Sequence, residues 1–73
     1  MLIPMSLLES GASAVVESLS FSRDMLQRLL ELGIKPGVRF NVVLKNSDFI
    51  IKLDENRIAI DKVLCNNIIV SLA

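Results

Sequence analysis

The residues that could carry chemistry are few in this chain. It contains one cysteine, Cys65, and no histidine. Zinc fingers, Cys–His catalysis and histidine-based metal centres are therefore excluded by composition. Serines remain as candidate nucleophiles, together with a small set of carboxylates beside predicted turns: Asp48, Asp54, Glu55 and Asp61.

Neither the thiol nor the carboxylates form a catalytic motif. Cys65 follows the apolar residues "VL", which favours a buried structural thiol over a reactive one. A ferrous ion prefers several convergent His and carboxylate ligands, and nothing in the spacing of these carboxylates makes them converge. With three glycines in all, the chain also has no glycine-rich phosphate loop. We predict a non-enzymatic protein with no cofactor and no specific metal site.

Size and charge narrow the class of protein further. The 73 residues predict a single domain over 1–73, and 52% of them are hydrophobic. Eight basic residues balance eight acidic ones, whereas nucleic-acid binding usually leaves a basic excess. One cysteine cannot form an intrachain disulfide, and no apolar run approaches the roughly 20 residues of a membrane span. We expect a monomer in the cytoplasm that binds no nucleic acid and does not insert into the membrane.

One segment, "SRDMLQRLLELG", predicts an α-helix over about residues 22–32. Ser22 can cap its start, and Asp24 suits the first turn. Its apolar residues follow helical spacing and form a leucine-rich stripe: Met25, Leu26, Leu29, Leu30 and Leu32. Two interpretations stay open. The whole stripe packs on the core, or its outer edge remains exposed as a docking patch.

Gly33 and the pair Pro36-Gly37 predict how the chain leaves this helix. Gly33 fits the left-handed position just past a helix end, and Pro36-Gly37 fits the centre of a type II turn. Alternating short segments follow and predict strands. The face expected inward carries Val38, Phe40, Val42, Leu44, Ile51, Leu53, Ile58, Ile60, Ile68, Val70 and Leu72.

The remaining strand signals complete a mainly β fold. "ASAVVESLS" predicts an earlier strand with Ala14 and Val16 inward and a bulge near Ser18. Residues 1–10 are expected to be irregular, and Asn56 is expected to tolerate a positive φ in a turn. Short strands separated by turns predict a small closed barrel.

Several stretches together resemble the FeoA family between Leu7 and Leu72: Gly11, Ala14-Val15-Val16, "LLELGIKPG", "RFNVV" and "RIAI…NNIIV". The resemblance implies an SH3-like five-stranded barrel with the helix inserted after the first strand. It also implies an accessory role in bacterial ferrous iron uptake, with a FeoB-type GTP-binding permease as partner. The chain departs from the family pattern at Asn56 and Asp61, and at Phe49, which stands where proline is common.

A docking surface is the remaining functional hypothesis. Val43 and Ile50 fall on the outward parity of their strands, and an exposed apolar patch often marks a binding site. The candidate partner-binding residues are Phe49, Asp48, Met25, Leu26, Val43 and Ile50. For Phe49 the rival interpretation is a core position, since it shares parity with Ile51. An alternative function is a regulatory interaction module that self-associates or binds a transcription factor.

Overall fold

A six-stranded antiparallel sheet forms most of the molecule in the computed structural model, which describes residues 1–73. One helix, α1, lies between the second and third strands at Arg23–Glu31. The strands are β1 Leu2–Pro4, β2 Ser13–Leu19, β3 Arg39–Lys45, β4 Asp48–Leu53, β5 Asn56–Asp61 and β6 Ile68–Leu72. Short 3-10 turns occupy Met5–Leu7 and Leu64–Asn67.

The sheet differs from the sequence prediction in its first strand and in its edges. The spatial order is β1-β6-β2-β3-β4-β5, so there are six strands rather than five. The extra strand is Leu2–Pro4, which pairs with β6 although residues 1–10 were expected to be irregular. β1 and β5 are edge strands that do not pair with each other, so no strand ladder closes the predicted barrel. The architecture agrees with an SH3-like fold.

α1 confirms the predicted helix, with its two outermost residues acting as caps. Ser22 is the N-cap, and its Oγ accepts a hydrogen bond from the Met25 amide at 3.3 Å. At the other end the Ile34 amide donates to the Leu29 carbonyl at 2.8 Å, and the Gly33 amide donates to the Leu30 carbonyl at 2.9 Å. These two bonds form a Schellman motif, with Gly33 at φ +92°.

The predicted turn at Pro36-Gly37 is also present. Gly37 has φ +92°, and the Val38 amide donates to the Lys35 carbonyl at 3.2 Å, as in a type II turn. The Gly37 amide donates to the Val16 carbonyl at 2.7 Å. This bond ties the turn to β2, so that β3 begins in register beside it.

The core lies on one face of the sheet and is entirely apolar. Ala14 and Val16 are buried on β2, and the register shift between Val16 and Ser18 confirms the predicted bulge. No polar or charged side chain is buried. The fifteen core residues are Met5, Leu8, Ala14, Val16, Leu29, Ile34, Phe40, Val42, Phe49, Ile51, Leu53, Ile60, Cys65, Ile68 and Val70.

Two side chains differ from their predicted orientation, and one turn differs in the residue that has a positive φ. Leu44 and Leu72 were expected inward but are exposed, Leu72 because it lies at the end of the last strand. Leu44 follows a second bulge, between Val42 and Leu44, that reverses the inward and outward parity of β3. The residue with positive φ in the β4–β5 turn is Asp54, at 52°, rather than Asn56, which already belongs to β5.

Candidate docking surface

A row of apolar side chains crosses the sheet on the face opposite the core. Leu44 pairs with Ile50 across β3 and β4, and Ile50 pairs with Ala59 across β4 and β5. Leu44 and Ala59 are exposed and Ile50 is half-buried. We call these three residues the outer row. Val43, 37% exposed, lies at the bulge beside it.

Charged residues flank the outer row on both sides. Towards the β4–β5 turn, Lys52 pairs with Arg57; towards the opposite end, Asp48 pairs with Asp61. All four side chains are exposed and lie on the same face as Ile50. The surface therefore changes from basic through apolar to acidic along the length of the β4–β5 hairpin.

The structure brings three of the six predicted partner-binding residues together. Val43, Ile50 and Asp48 lie on or beside this part of the sheet. Phe49 does not: it is fully buried within β4, so its expected place in an exposed patch is wrong and the rival core interpretation holds. The physical reason is the regular alternation of β4, in which Phe49 shares the buried face with Ile51 and Leu53. Lys45 is its partner on β3, and the Lys45 Nζ lies 5.6 Å from the ring centroid.

The two helical candidates belong to a different element. Met25 is half-buried and packs against the core, and Leu26 is half-buried. Neither joins the outer row through the strand register. Of the leucine-rich stripe only Leu29 is fully buried, while Leu30 and Leu32 are 49% and 51% exposed. The interpretation in which the whole stripe is core is therefore wrong.

Two members of the outer row were absent from the sequence-based candidates. Ala59 lies on the outward parity of "RIAI", a signal that was available but small, because alanine offers little apolar surface. Leu44 could not have been found in this way. Its orientation depends on the bulge between Val42 and Leu44, which has no glycine to mark it.

A cleft of about 440 Å³ lies at the other side of the β4–β5 turn, beside the helix end. Leu32 and Leu53 contribute apolar walls, and the charged side chains at its rim are Lys35, Arg39 and Asp54. Mixed charge and partial opening give this cleft no single preferred ligand chemistry. The outer row is the more coherent surface.

The remaining candidate groups from the sequence are Cys65 and the carboxylates. The Cys65 thiol is fully buried, and burial raises its pKa to about 11, with the negative charges of Asp61 and Asp48 adding to the shift. Asp54 and Glu55 lie in the β4–β5 turn, at the opposite end of the hairpin from the Asp48–Asp61 pair. No three His, Cys, Asp or Glu side chains come together as a metal-binding group.

No helix in the structure has the length and apolar content required to cross a bilayer.

Among curated proteins, no sequence matches this chain significantly.

Solved structures of other proteins share this fold over nearly the whole chain. An iron uptake regulatory protein (FeoA) is 26% identical with a TM-score of 0.91, covering 100% of this chain and 99% of its own. Iron(II) transport protein A from Clostridium thermocellum is 22% identical with a TM-score of 0.89, covering 97% of this chain and 46% of its own. IdeR from T. acidophilum is 18% identical with a TM-score of 0.91, covering 99% of this chain but 34% of its own.

The family assignment follows from the sequence itself. The model of the FeoA domain matches residues 3–72, almost the full length. The matched region contains the Schellman motif at Gly33, the turn at Pro36-Gly37 and every strand of the outer row. The chain belongs to the FeoA family, which is linked to iron transport.

Proposed function

We propose that this chain is a non-enzymatic accessory protein of ferrous iron uptake that docks on the cytoplasmic part of a FeoB-type permease. The observation that carries the proposal is the outer row, an exposed apolar strip on a rigid part of the sheet. Family membership gives the proposal its biological context.

The outer row suits docking for two physical reasons. Its residues lie on three adjacent hydrogen-bonded strands, so that binding orders little of the backbone and costs little conformational entropy. Its apolar centre lies between a basic pair, Lys52 and Arg57, and an acidic pair, Asp48 and Asp61. Such a charge pattern favours one orientation of the partner.

A capture experiment with matched variants tests this proposal. The tagged chain is incubated with detergent-solubilised membranes or with the purified cytoplasmic part of the permease. Leu44→Ser removes an apolar side chain that is 45% exposed, so folding should be retained. We expect its affinity for the permease to fall by roughly tenfold, as for a central apolar contact in an interface.

Leu30→Ser is the control, because it makes the same change at a leucine that is 49% exposed on α1. This variant should bind like the original chain. Loss of binding by Leu30→Ser with retention by Leu44→Ser would move the docking site to the helix. Capture of a transcription factor and no permease would support the alternative, a regulatory interaction module.

A further inference from the structure

The two edge strands of the sheet differ in how they are protected. β1 has three residues and ends at Pro4, which has no amide hydrogen to donate. β5 has six residues, with neither a proline nor a bulge, and pairs only with β4. A long regular edge strand of this kind is a template for pairing with another strand.

The hairpin geometry shows which groups of β5 are free. A two-residue loop, 54–55, makes Leu53 and Asn56 the first hydrogen-bonded pair of the hairpin. Because such pairs alternate along an antiparallel ladder, every second residue of β5 directs its amide and carbonyl away from β4. No backbone hydrogen bond outside the ladders uses these groups. The three residues are Arg57, Ala59 and Asp61.

A second copy of β5 can pair with this edge, and one two-fold register uses all three of these residues. If Ala59 lies opposite Ala59 of the copy, Arg57 lies opposite Asp61 of the copy, and the reverse. All three residues then form hydrogen-bonded pairs, which makes about six N–H···O bonds across the new ladder. The half-buried Ile58 lies opposite Ile60 of the copy.

Charge supports the same register independently. Asp48 and Asp61 are paired like charges, as are Lys52 and Arg57, and like charges directly opposite each other are unfavourable. The chain's one ion pair, between Lys45 and Glu9, involves none of them. In the two-fold register, the acidic pair of each copy extends the basic pair of the other.

We propose that this chain forms a two-fold dimer through antiparallel pairing of β5 with β5 of a second copy, centred on Ala59. Each Arg57 then lies beside Asp61 of the other copy. This dimer does not depend on the proposed docking function. It would also join the two outer rows into one continuous apolar strip across both copies.

Charge-reversal variants of the full chain test the dimer. Its mass is measured by sedimentation equilibrium from micromolar to millimolar concentration. The unaltered chain should dimerise as its concentration rises. Arg57→Glu and Asp61→Lys each place like charges opposite at both symmetric contacts, so each should weaken dimerisation by roughly tenfold.

An equimolar mixture of the two variants provides the sharpest readout. In the mixed dimer, the glutamate at position 57 of one variant faces the lysine at position 61 of the other. At the second contact, Asp61 of the first variant faces Arg57 of the second. Heterodimers should therefore form at concentrations where either variant alone is monomeric. Asp61 Oδ1 also accepts a hydrogen bond from the Val63 amide at 2.7 Å, so circular dichroism must show a native spectrum for each variant. Asp61→Asn keeps this acceptor, removes the charge, and should also weaken the dimer.

Arg23→Glu is the control, since it makes the same charge change on α1 and should leave dimerisation unchanged. A monomeric unaltered chain at millimolar concentration would overturn the proposal. So would dimers of Arg57→Glu that are as stable as the original, or a mixture that remains monomeric.

Discussion

At the scale of single residues, Cys65 and Phe49 serve the core of the protein. The Cys65 thiol, with a raised pKa and no exposed surface, is a poor nucleophile at neutral pH. Phe49 is similar: its apolar bulk fills the core, and the outer row beside it carries the exposed apolar surface. At this scale, the proposed docking function depends on the moderately exposed aliphatic side chains of the outer row.

The raised pKa of Cys65 predicts a specific pH dependence of stability. The unfolded thiol loses its proton near its ordinary pKa of 9.0, whereas the folded thiol keeps it up to about 11. Between these values the unfolded state binds fewer protons, so the free energy of unfolding should fall as pH rises. The thiol's share of this loss is about 2–3 kcal/mol over two pH units.

Urea melts at several pH values between 8 and 11 measure this effect. Cys65→Ala lacks the thiol and is the matched control, because all other titrating groups are retained. The difference in stability between the original chain and the variant should shrink as pH rises. A constant difference across this range would show that the thiol's pKa is not raised by folding.

At the scale of secondary-structure elements, the clearest link between sequence and structure is the end of α1. The Schellman motif at Gly33 and the turn at Pro36-Gly37 convert a helix into a strand within a few residues. Both glycines have φ near +92°, where a side chain is strained. These turns position β3, and β3 carries Leu44 to the outer row.

Gly33→Ala should reduce the free energy of unfolding by about 1 kcal/mol. A Cβ at this position would lie 3.9 Å from Leu53 Cδ1, an ordinary contact, so the cost comes from the backbone conformation and not from a clash. Gly33→Asn is the control, since asparagine tolerates the left-handed region better and should cost less. Equal destabilisation by both variants in urea melts would contradict the left-handed assignment.

Element boundaries also show what the sequence could and could not predict. Local signals sufficed for α1, Gly33, Pro36-Gly37 and the bulge in β2, because caps and turns depend on neighbouring residues. The strand at Leu2–Pro4 depends on β6, more than sixty residues away along the chain, and has no strong local signal.

The candidate surface was harder to predict, because part of it also has no strong local signal in the sequence. Alternation alone placed Val43 and Ile50 outward, and the structure agrees. The unmarked bulge between Val42 and Leu44 turned Leu44 outward and aligned Phe49 with Lys45. An extra residue in one strand reverses parity beyond it, so this one-residue irregularity placed Leu44 on the surface instead of in the core.

At the scale of the whole molecule, the two faces of the sheet differ in composition. Its inner face, with α1, holds an entirely apolar core. Its outer face, over β3–β5, presents an apolar row between opposite charges. The chain belongs to the FeoA family, and its two proposed interactions use the outer face of the sheet and the free edge of β5.

The proposed docking surface can be tested directly by nuclear magnetic resonance. Amide chemical shifts of the isotope-labelled chain, held at constant concentration, are followed while the cytoplasmic part of a FeoB-type permease is added. Docking through the outer row should give the largest changes at Leu44, Ile50 and Ala59, with small changes along α1 and at the cleft near Leu32. If the largest changes lie on α1 or in that cleft and the outer row is unchanged, the outer row is not the docking surface.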